Sequence, residues 1–326
     1  MNADLLKRLF RTIQEVSAPS LITIAQNVLE DERRLGHKKL ASQLEKILSQ
    51  CSNQTSALKT ANPPLGTLPT NKRYQQPLST LLPPELLRHH MVLPLEVECR
   101  FQRIEKEYSA RERLARHGLG YRKRILLYGP PGCGKSLGAE RLAWSTGLPL
   151  MKVHFDAVMS SFFGESASNL RSVFDAVCHT PTLLFLDECD FVARSRANPN
   201  DVGEAPRIVN TLLMLLEDYH APGLLVAATN LDSSLDKAIF RRFDEVLELP
   251  PPGSGEVLKL LKMTLSAMKV SSNIDWDEVA SALSGKSAAY VVKAAQDAAK
   301  QAILANELPL QLNHLLSAVA ELSKGE

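Results

Sequence analysis

A glycine-rich loop between an apolar run and a helical pattern constrains this chain more than any other feature. The apolar run 125–128 leads into a loop that fits G-x-x-x-x-G-K-[ST], and residues 137–144 continue with helical character. A strand, a loop and a helix in this order direct free backbone N–H groups and the helix dipole at a bound phosphate. The residues expected to contact a nucleotide are Gly129, Pro130, Pro131, Gly132, Cys133, Gly134, Lys135, Ser136 and Leu137.

The residue types in this loop suit a nucleoside polyphosphate held together with Mg²⁺. Glycines let the backbone approach the anion, because any side chain there would hold the phosphate away. Lys135 can reach the terminal phosphates, and the Ser136 hydroxyl is a ligand that Mg²⁺ accepts. A glycine-rich turn without a ligand is the competing interpretation, which the strand and helix on either side disfavour.

A second part of the site is expected about fifty residues further along the chain. The apolar run 182–186 is typical of a strand buried on both faces, and it ends at Asp187 and Glu188. Because ligands of such sheets bind beyond the carboxyl ends of the strands, Asp187 would face Mg²⁺. Glu188 could then polarise the attacking water. Two acids at a strand end also occur as capping residues, so the prediction depends on the phosphate loop.

A third strand is predicted at 224–229 and ends at Asn230, whose carboxamide can hold a water between Glu188 and the terminal phosphate. Further along the chain, Arg241 and Arg242 precede a fourth predicted strand, 246–249. The pair lies too far along the chain to be assumed part of the same pocket. Two guanidinium groups there can serve the phosphate of a neighbouring subunit instead.

The order of these four elements resembles the AAA family of ATPases, the branch of AAA+ proteins with a second region of homology, over residues 85–326. The resemblance implies an α/β fold of the P-loop NTPase type, with a parallel sheet flanked by helices and a C-terminal helical lid. It also implies a homo-oligomeric ring, usually a hexamer, with ATP and Mg²⁺ at each subunit interface. Within that ring, Asn230 would be the sensor, and Arg241 and Arg242 would be arginine fingers supplied to the neighbour.

Residues 160–166, Ser-Ser-Phe-Phe-Gly-Glu-Ser, are similar to the aromatic-hydrophobic-glycine pore loop of that branch. The resemblance implies that Phe162 grips substrate polypeptide in the central channel, with Phe163 and Gly164 completing the motif. The alternative is that both phenylalanines belong to the core. Their position between Ser and Gly, in a segment without helical or strand periodicity, favours exposure.

The chain divides into four predicted segments. Residues 1–50 carry apolar residues at helical spacing and form a small helical domain, and residues 51–84, with six prolines, read as a linker. The ATPase large domain is predicted at 85–252 and opens with one charged helix at 95–117. The helical lid domain, 253–326, is expected to contain three or four helices.

Composition excludes several classes of protein. The formal net charge of +2 is small for 326 residues and gives no reason to expect a nucleic-acid partner. Five cysteines, an odd number without C-x-x-C spacing, favour a reducing cytoplasm over a disulfide scaffold. No apolar stretch approaches the 18 residues that a membrane span needs, so no membrane association is expected.

The nucleotide-site motifs, together with what the resemblance to the AAA family implies, predict an ATP-hydrolysing ring that remodels or unfolds proteins. Residues 24–41 resemble the N-terminal helices of a bacterial AAA group whose partner is a subtilisin-like serine protease and which is linked to antiviral defence against phage. The competing class is a nucleotide-governed assembly switch or scaffold with slow hydrolysis. A DNA-handling AAA+ protein such as a clamp loader is disfavoured by the pore-loop motif and by the lack of a basic stripe.

Overall fold

The computed structural model describes residues 68–70, 76–159, 165–189, 204–230 and 240–323. For residues 204–206 it describes the backbone alone. All of them belong to one compact unit, Leu68–Glu326. The helices predicted within 1–50 and the pore-loop residues Phe162, Phe163 and Gly164 lie outside the described residues.

Six strands of the described chain form one sheet in the order β1-β3-β4-β5-β2-β6. Its four inner strands and β6 run parallel, and only β1 pairs antiparallel, with β3. This mostly parallel α/β sheet confirms the predicted fold class. The strands are β1 (Ser79–Leu82), β2 (Arg124–Tyr128), β3 (Leu150–Val153), β4 (Leu183–Leu186), β5 (Leu224–Thr229) and β6 (Glu245–Glu248).

The central strands carry no alternation of buried and exposed residues. Every residue of β4 and β5 is buried, as are the three middle residues of β2. A parallel strand covered by helices on both faces needs apolar side chains on both sides, which explains the continuous Leu, Val and Ala runs. The carboxyl ends of β2, β4 and β5 therefore meet at one edge of a fully covered sheet.

Strand β1 lies within the segment 51–84 that the composition had indicated as a linker. Ser79 pairs with Val153 and Leu82 with Leu150, so the last part of this segment belongs to the sheet. The run Ser-Thr-Leu-Leu is too short for its periodicity to indicate a strand. Its pairing partner is more than sixty residues away along the chain, beyond the reach of local sequence patterns.

Ten helices of the described chain accompany the sheet. They are α1 (Leu95–Ser109), α2 (Arg111–Arg116), α3 (Lys135–Thr146), α4 (Phe155–Val158), α5 (Glu165–Val177), α6 (Glu204–Glu217), α7 (Ser254–Thr264), α8 (Trp276–Ala282), α9 (Ala288–Leu304) and α10 (Leu312–Ser323). The single helix predicted over 95–117 is interrupted at Ala110, which ends α1 and precedes α2. Phe101, Ile104 and Tyr108 share the buried face of α1, as their spacing predicts.

Two hydrophobic clusters lie on either side of the segment between β6 and α7. The larger cluster joins the sheet to α1 and α3 and draws its buried residues from positions 87–249. The smaller cluster draws its buried residues from positions 257–319, which are those of α7 to α10 and the turns between them. The described residues after 253 contain four helices, where the sequence predicts three or four.

Within the described ranges, no helix combines the length and the apolar character that a membrane crossing requires.

Gly223 provides a test of the sheet packing. A Cβ atom at this position would lie 1.9 Å from the Thr182 carbonyl oxygen, at the start of the pairing between β4 and β5. We expect Gly223→Ala to lower the free energy of unfolding by about 1–3 kcal/mol, the usual cost of overpacking. Thermal melting measures the loss.

The matched control is Gly255→Ala in α7, where a Cβ would meet nothing within 4 Å. Alanine favours a helix over glycine by up to about 1 kcal/mol, so this variant should be as stable as the wild type or more so. Equal melting temperatures for the two variants would contradict the close approach at Gly223.

Candidate functional site

The sheet order brings together three of the predicted site strands. Strand β5 lies between β4 and β2, with Ala227 opposite Leu186 and Thr229 opposite Tyr128. Asp187, Asn230 and Gly129 therefore follow the carboxyl ends of three adjacent parallel strands. That edge is where ligands of open α/β sheets bind.

The phosphate loop leaves β2 at Gly129 and enters α3 at Lys135. Gly129 has φ +141°, and a Cβ there would lie 2.3 Å from the Leu249 carbonyl oxygen. Gly134 has φ +90° at the position before the helix. Because side chains rarely tolerate these backbone angles, both positions require glycine, and the loop keeps its backbone accessible. Pro130 and Pro131 are exposed on the loop.

Lys135 is 8% exposed and folds back onto its own loop. Its Nζ donates hydrogen bonds to the carbonyl oxygens of Gly129 and Pro130, both at 2.8 Å. These two hydrogen bonds hold the ammonium group against the backbone of the loop. A phosphate anion bound to this loop would be in reach of the same cation.

Ser136 and Asp187 are brought into contact from different parts of the chain. The Ser136 Oγ donates to Asp187 Oδ2 at 3.2 Å, and the Lys152 ammonium lies 2.9 Å from the same carboxylate oxygen. A hydroxyl beside a carboxylate provides oxygen ligands that Mg²⁺ accepts. The Lys152 ammonium group already places a positive charge next to this carboxylate. These residues fit Mg²⁺.

Glu188 is exposed and has φ +54°, a left-handed backbone conformation that is uncommon for any residue but glycine and asparagine. Its backbone N–H donates to Asp187 Oδ1 at 3.1 Å. The two carboxylates therefore diverge: Asp187 turns towards Ser136, while Glu188 remains open to solvent. Strained backbone of this kind occurs often at functional sites.

Asn230 is exposed at the end of β5, and Arg241 is exposed before β6. Arg242 differs, because its Nη2 forms an ion pair with Glu217 Oε1 of α6 at 2.7 Å and its side chain is only 23% exposed. The sequence predicts the same role for these two adjacent arginines, but the structure gives them different surroundings.

The segment after the arginines is fixed to the start of β2. The Asp244 carboxylate accepts hydrogen bonds from the backbone N–H groups of Lys123 and Arg124 and from the Arg124 guanidinium. Burial by itself would raise the pKa of Asp244, but these hydrogen bonds outweigh it and hold the pKa below its ordinary value. Asp244 thus stays ionised and anchors the chain that carries Arg241.

The lid contacts the phosphate loop through the N-terminus of α9. The Ala289 backbone N–H donates to the Gly132 carbonyl oxygen at 3.0 Å. A Cβ on Gly132, which has φ +76°, would lie 2.7 Å from Ser287 Oγ. The smaller core is therefore joined directly to the loop that is expected to hold the nucleotide.

Cys133 is buried at this contact, and burial raises the pKa of its thiol, although the charge of Lys135 and the backbone N–H of Ala288 oppose the shift. The thiol therefore stays neutral beside the loop and adds no negative charge to repel a phosphate. Leu137, in the first turn of α3, is half-buried.

Sequence reasoning did not find the segment around Met91. Met91 and Leu93 pack against the larger core, and Val92 packs against the lid core. A Cβ on Gly134 would lie 2.9 Å from Met91 Cε, so the segment also borders the phosphate loop. Three apolar residues before α1 carry no motif, and only the fold shows that they lie where both cores meet the loop.

Lys152 was also missed, although it is the one charged residue in the strand Leu150–Val153. Tyr290 lies in the first turn of α9. Its hydroxyl donates to the Val319 carbonyl oxygen at 3.3 Å and lies 3.0 Å from Ser323 Oγ. This tyrosine joins α9 to α10 within the lid core and does not face the loop.

A strand that leads into a glycine-rich loop and a helix, with Asp187 following a parallel strand of the same sheet one strand away, defines a nucleotide-binding domain of the P-loop class. Residues 125–251 match the family described as ATPase family associated with various cellular activities (AAA). The match begins in β2 and ends just after β6, and so contains the phosphate loop, Asp187, Asn230 and both arginines.

Two relatives extend this comparison. The chain is 34% identical over 288 residues to the uncharacterized AAA family ATPase y4kL of Sinorhizobium fredii (strain NBRC 101917 / NGR234). This match covers 88% of this chain and 86% of that protein. The chain is 31% identical over 223 residues to a proteasome-activating nucleotidase of Methanoregula boonei (strain DSM 21154 / JCM 14090 / 6A8). That match covers 66% of this chain and 51% of the nucleotidase, so the chain spans about half of that relative's length. The chain belongs to the AAA family of ATPases and is an ATP-hydrolysing enzyme.

Proposed function

We propose that this chain assembles into a ring, most simply a hexamer, that uses ATP hydrolysis to remodel or unfold protein substrates. The observation that carries the proposal is the match to a relative named proteasome-activating nucleotidase. A second line of support is the Phe162-Phe163-Gly164 motif, which falls in the sequence between α4 and α5. The four cysteines among the described residues are not joined in disulfides, which suits a reducing compartment, and we propose the cytoplasm.

The residues of the nucleotide site would divide the chemistry as follows. Backbone N–H groups of the loop and the Lys135 ammonium bind the phosphates, and Ser136 with Asp187 holds Mg²⁺. When bound, Mg²⁺ neutralises part of the charge that develops on the phosphate oxygens. Glu188, whose carboxylate is open to solvent, orients and polarises the attacking water, and Asn230 on the neighbouring strand holds that water.

The base and ribose would lie where the two cores meet the loop. Met91 and Val92 offer apolar surface from the two sides of this junction, and Ser287 and Ala289 border it from the lid. Apolar side chains beside a few backbone donors are typical of nucleotide sites.

Arg241 and Arg242 would have different tasks. Arg241 is exposed and can extend to the phosphate of a neighbouring subunit, where a guanidinium stabilises the charge of the transition state. Arg242 is already paired with Glu217 of its own subunit, so we assign it to holding this segment in place.

A subtilisin-like serine protease is proposed as a partner, with a role in defence against phage. This part of the proposal rests on the resemblance of residues 24–41, which lie outside the described residues. The ring would deliver substrate to the protease or activate it.

The alternative function is a nucleotide-governed assembly switch with slow hydrolysis. The contact between Gly132 and Ala289 favours it, because a ligand in the loop could set the position of the lid without repeated turnover. Turnover stimulated by an unfolded polypeptide would favour the motor, and slow unstimulated turnover would favour the switch.

The first test separates binding from hydrolysis. Lys135→Ala should weaken ATP binding about 10- to 100-fold, because hydrogen bonds to charged groups contribute about 1.5–3 kcal/mol. Glu188→Gln should keep ATP binding and lose about 100-fold or more in turnover, because a positioned general base contributes about 10²- to 10⁴-fold. Binding by calorimetry and steady-state phosphate release measure the two effects. Wild-type turnover in Glu188→Gln would remove Glu188 from the mechanism.

The second test concerns the two arginines. Arg241→Ala should lower the turnover number by about 10³-fold or more, the low end of what an arginine finger supplies, without loss of nucleotide binding. Arg242→Ala breaks a partly exposed ion pair, which is worth about 0–1 kcal/mol, and should reduce turnover less. Phosphate release by each variant measures the difference.

Mixed rings test whether Arg241 acts on the neighbour. Arg241→Ala subunits mixed with Lys135→Ala subunits should regain activity, since some interfaces would combine an intact loop with an intact arginine. Rings that are shown to be mixed and yet stay inactive would argue against action between subunits.

The third test distinguishes the motor from the switch. If Phe162 touches substrate and not nucleotide, Phe162→Ala should keep basal ATP turnover and ring assembly while it loses protein unfolding, measured with an unstable fluorescent substrate. If Phe162 is instead a core residue, its truncation costs about 3–5 kcal/mol and should lower the melting temperature together with every activity. A stable variant that still unfolds substrate would equally reject the pore-loop role.

A further inference from the structure

Lys152 lies on β3, a strand whose other three residues are buried. Its side chain is 40% exposed, and its Nζ lies 2.9 Å from Asp187 Oδ2. The ammonium group at the end of this partly exposed side chain is paired with the carboxylate expected to face Mg²⁺.

The pairing of β3 with β4 directs Lys152 towards the site. Lys152 is opposite Phe185 in the parallel register, and its Nζ lies 5.7 Å from the centre of the Phe185 ring. Because side chains of a strand alternate between the two faces, residues 185 and 187 project in the same direction. The lysine chain therefore runs over the buried ring and ends at Asp187.

The ammonium group and Ser136 share one oxygen of the carboxylate. Ser136 Oγ donates to Asp187 Oδ2 at 3.2 Å, on the same atom that Lys152 contacts. A divalent cation that approaches Ser136 and Asp187 would therefore meet a positive charge a few ångströms away. Like charges at such distances repel each other appreciably even in water.

We propose that Lys152 is a positioning residue that holds and neutralises Asp187 when no metal is bound, and that Mg²⁺ must displace it from the carboxylate. This inference rests on the proposed role of Ser136 and Asp187 as the magnesium site. Lys152 thereby raises the Mg²⁺ concentration at which the site fills. It also keeps Asp187 and Ser136 in contact between turnovers, so that the site does not have to be rebuilt for each nucleotide.

The test is the Mg²⁺ dependence of nucleotide binding by the full chain, without any measurement of turnover. ADP carrying a fluorescent N-methylanthraniloyl group is bound at increasing MgCl₂, and the half-saturating Mg²⁺ concentration is read from each curve. Lys152→Met, which keeps the apolar stem and removes the charge, should lower that concentration about 3- to 30-fold, because one like charge a few ångströms from the metal is gone.

Two further variants make the comparison specific. Lys152→Arg keeps the positive charge and should stay within about twofold of the wild type. Lys259→Met removes an exposed lysine from α7 in the lid and should leave the curve unchanged. If Lys152→Met does not fold, Lys152→Gln carries the same prediction, since it also lacks the charge.

An unchanged or higher half-saturating concentration in the uncharged Lys152 variants would overturn the inference. In that case a magnesium-dependent wild-type curve would leave the proposed nucleotide site intact, so only the role of Lys152 would fall. A wild-type curve without any magnesium dependence would overturn both the site and the inference.

Discussion

The exit of the chain from β2 at Gly129 is the constraint on which the site depends. Strand β2 pairs in parallel with β5 on one side and β6 on the other, so the backbone that follows it has little room. The Leu249 N–H donates to the Tyr128 carbonyl at 2.8 Å, and the Leu249 carbonyl oxygen lies where a side chain on Gly129 would begin. Only a residue without Cβ lets the chain turn at this point and start α3 directly over the sheet.

The charges of the site are balanced by internal partners. The Lys135 ammonium is held by two carbonyl oxygens of the loop, and the Asp187 carboxylate is held by Ser136 and Lys152. In the proposed function, phosphate oxygens would replace the carbonyl oxygens at Lys135, and the metal ion would replace the ammonium group at Asp187. Such replacement would keep Lys135 and Asp187 near their working positions, because both groups have a fixed partner before a ligand arrives.

Features that depend on local sequence were predictable. The loop motif, the apolar runs of β2, β4 and β5, and the acid pair after β4 each lie within a few residues, and the structure places them as strands, loop and helix in the expected order. The break of the 95–117 helix at Ala110 was not predictable, because alanine favours a helix and nothing in the local pattern marks an end.

Contacts between distant segments were beyond the sequence. Lys152 is a single lysine in an apolar strand, and its meaning depends on the β3-β4 register. Arg242 could be told from Arg241 only through Glu217 on another helix. The roles of Lys152 and Arg242 follow from contacts between segments that are distant in the chain, and no local motif indicates those contacts.

The tyrosine in the lid has a mechanical consequence. Tyr290 is the third residue of α9 and joins it to α10 through Val319 and Ser323, while Ala289, its neighbour in the chain, is hydrogen-bonded to the phosphate loop. These hydrogen bonds link the phosphate loop, α9 and α10 through two neighbouring residues. A shift of the Gly132 carbonyl group would therefore reach α10 by a path of two hydrogen bonds and one peptide unit.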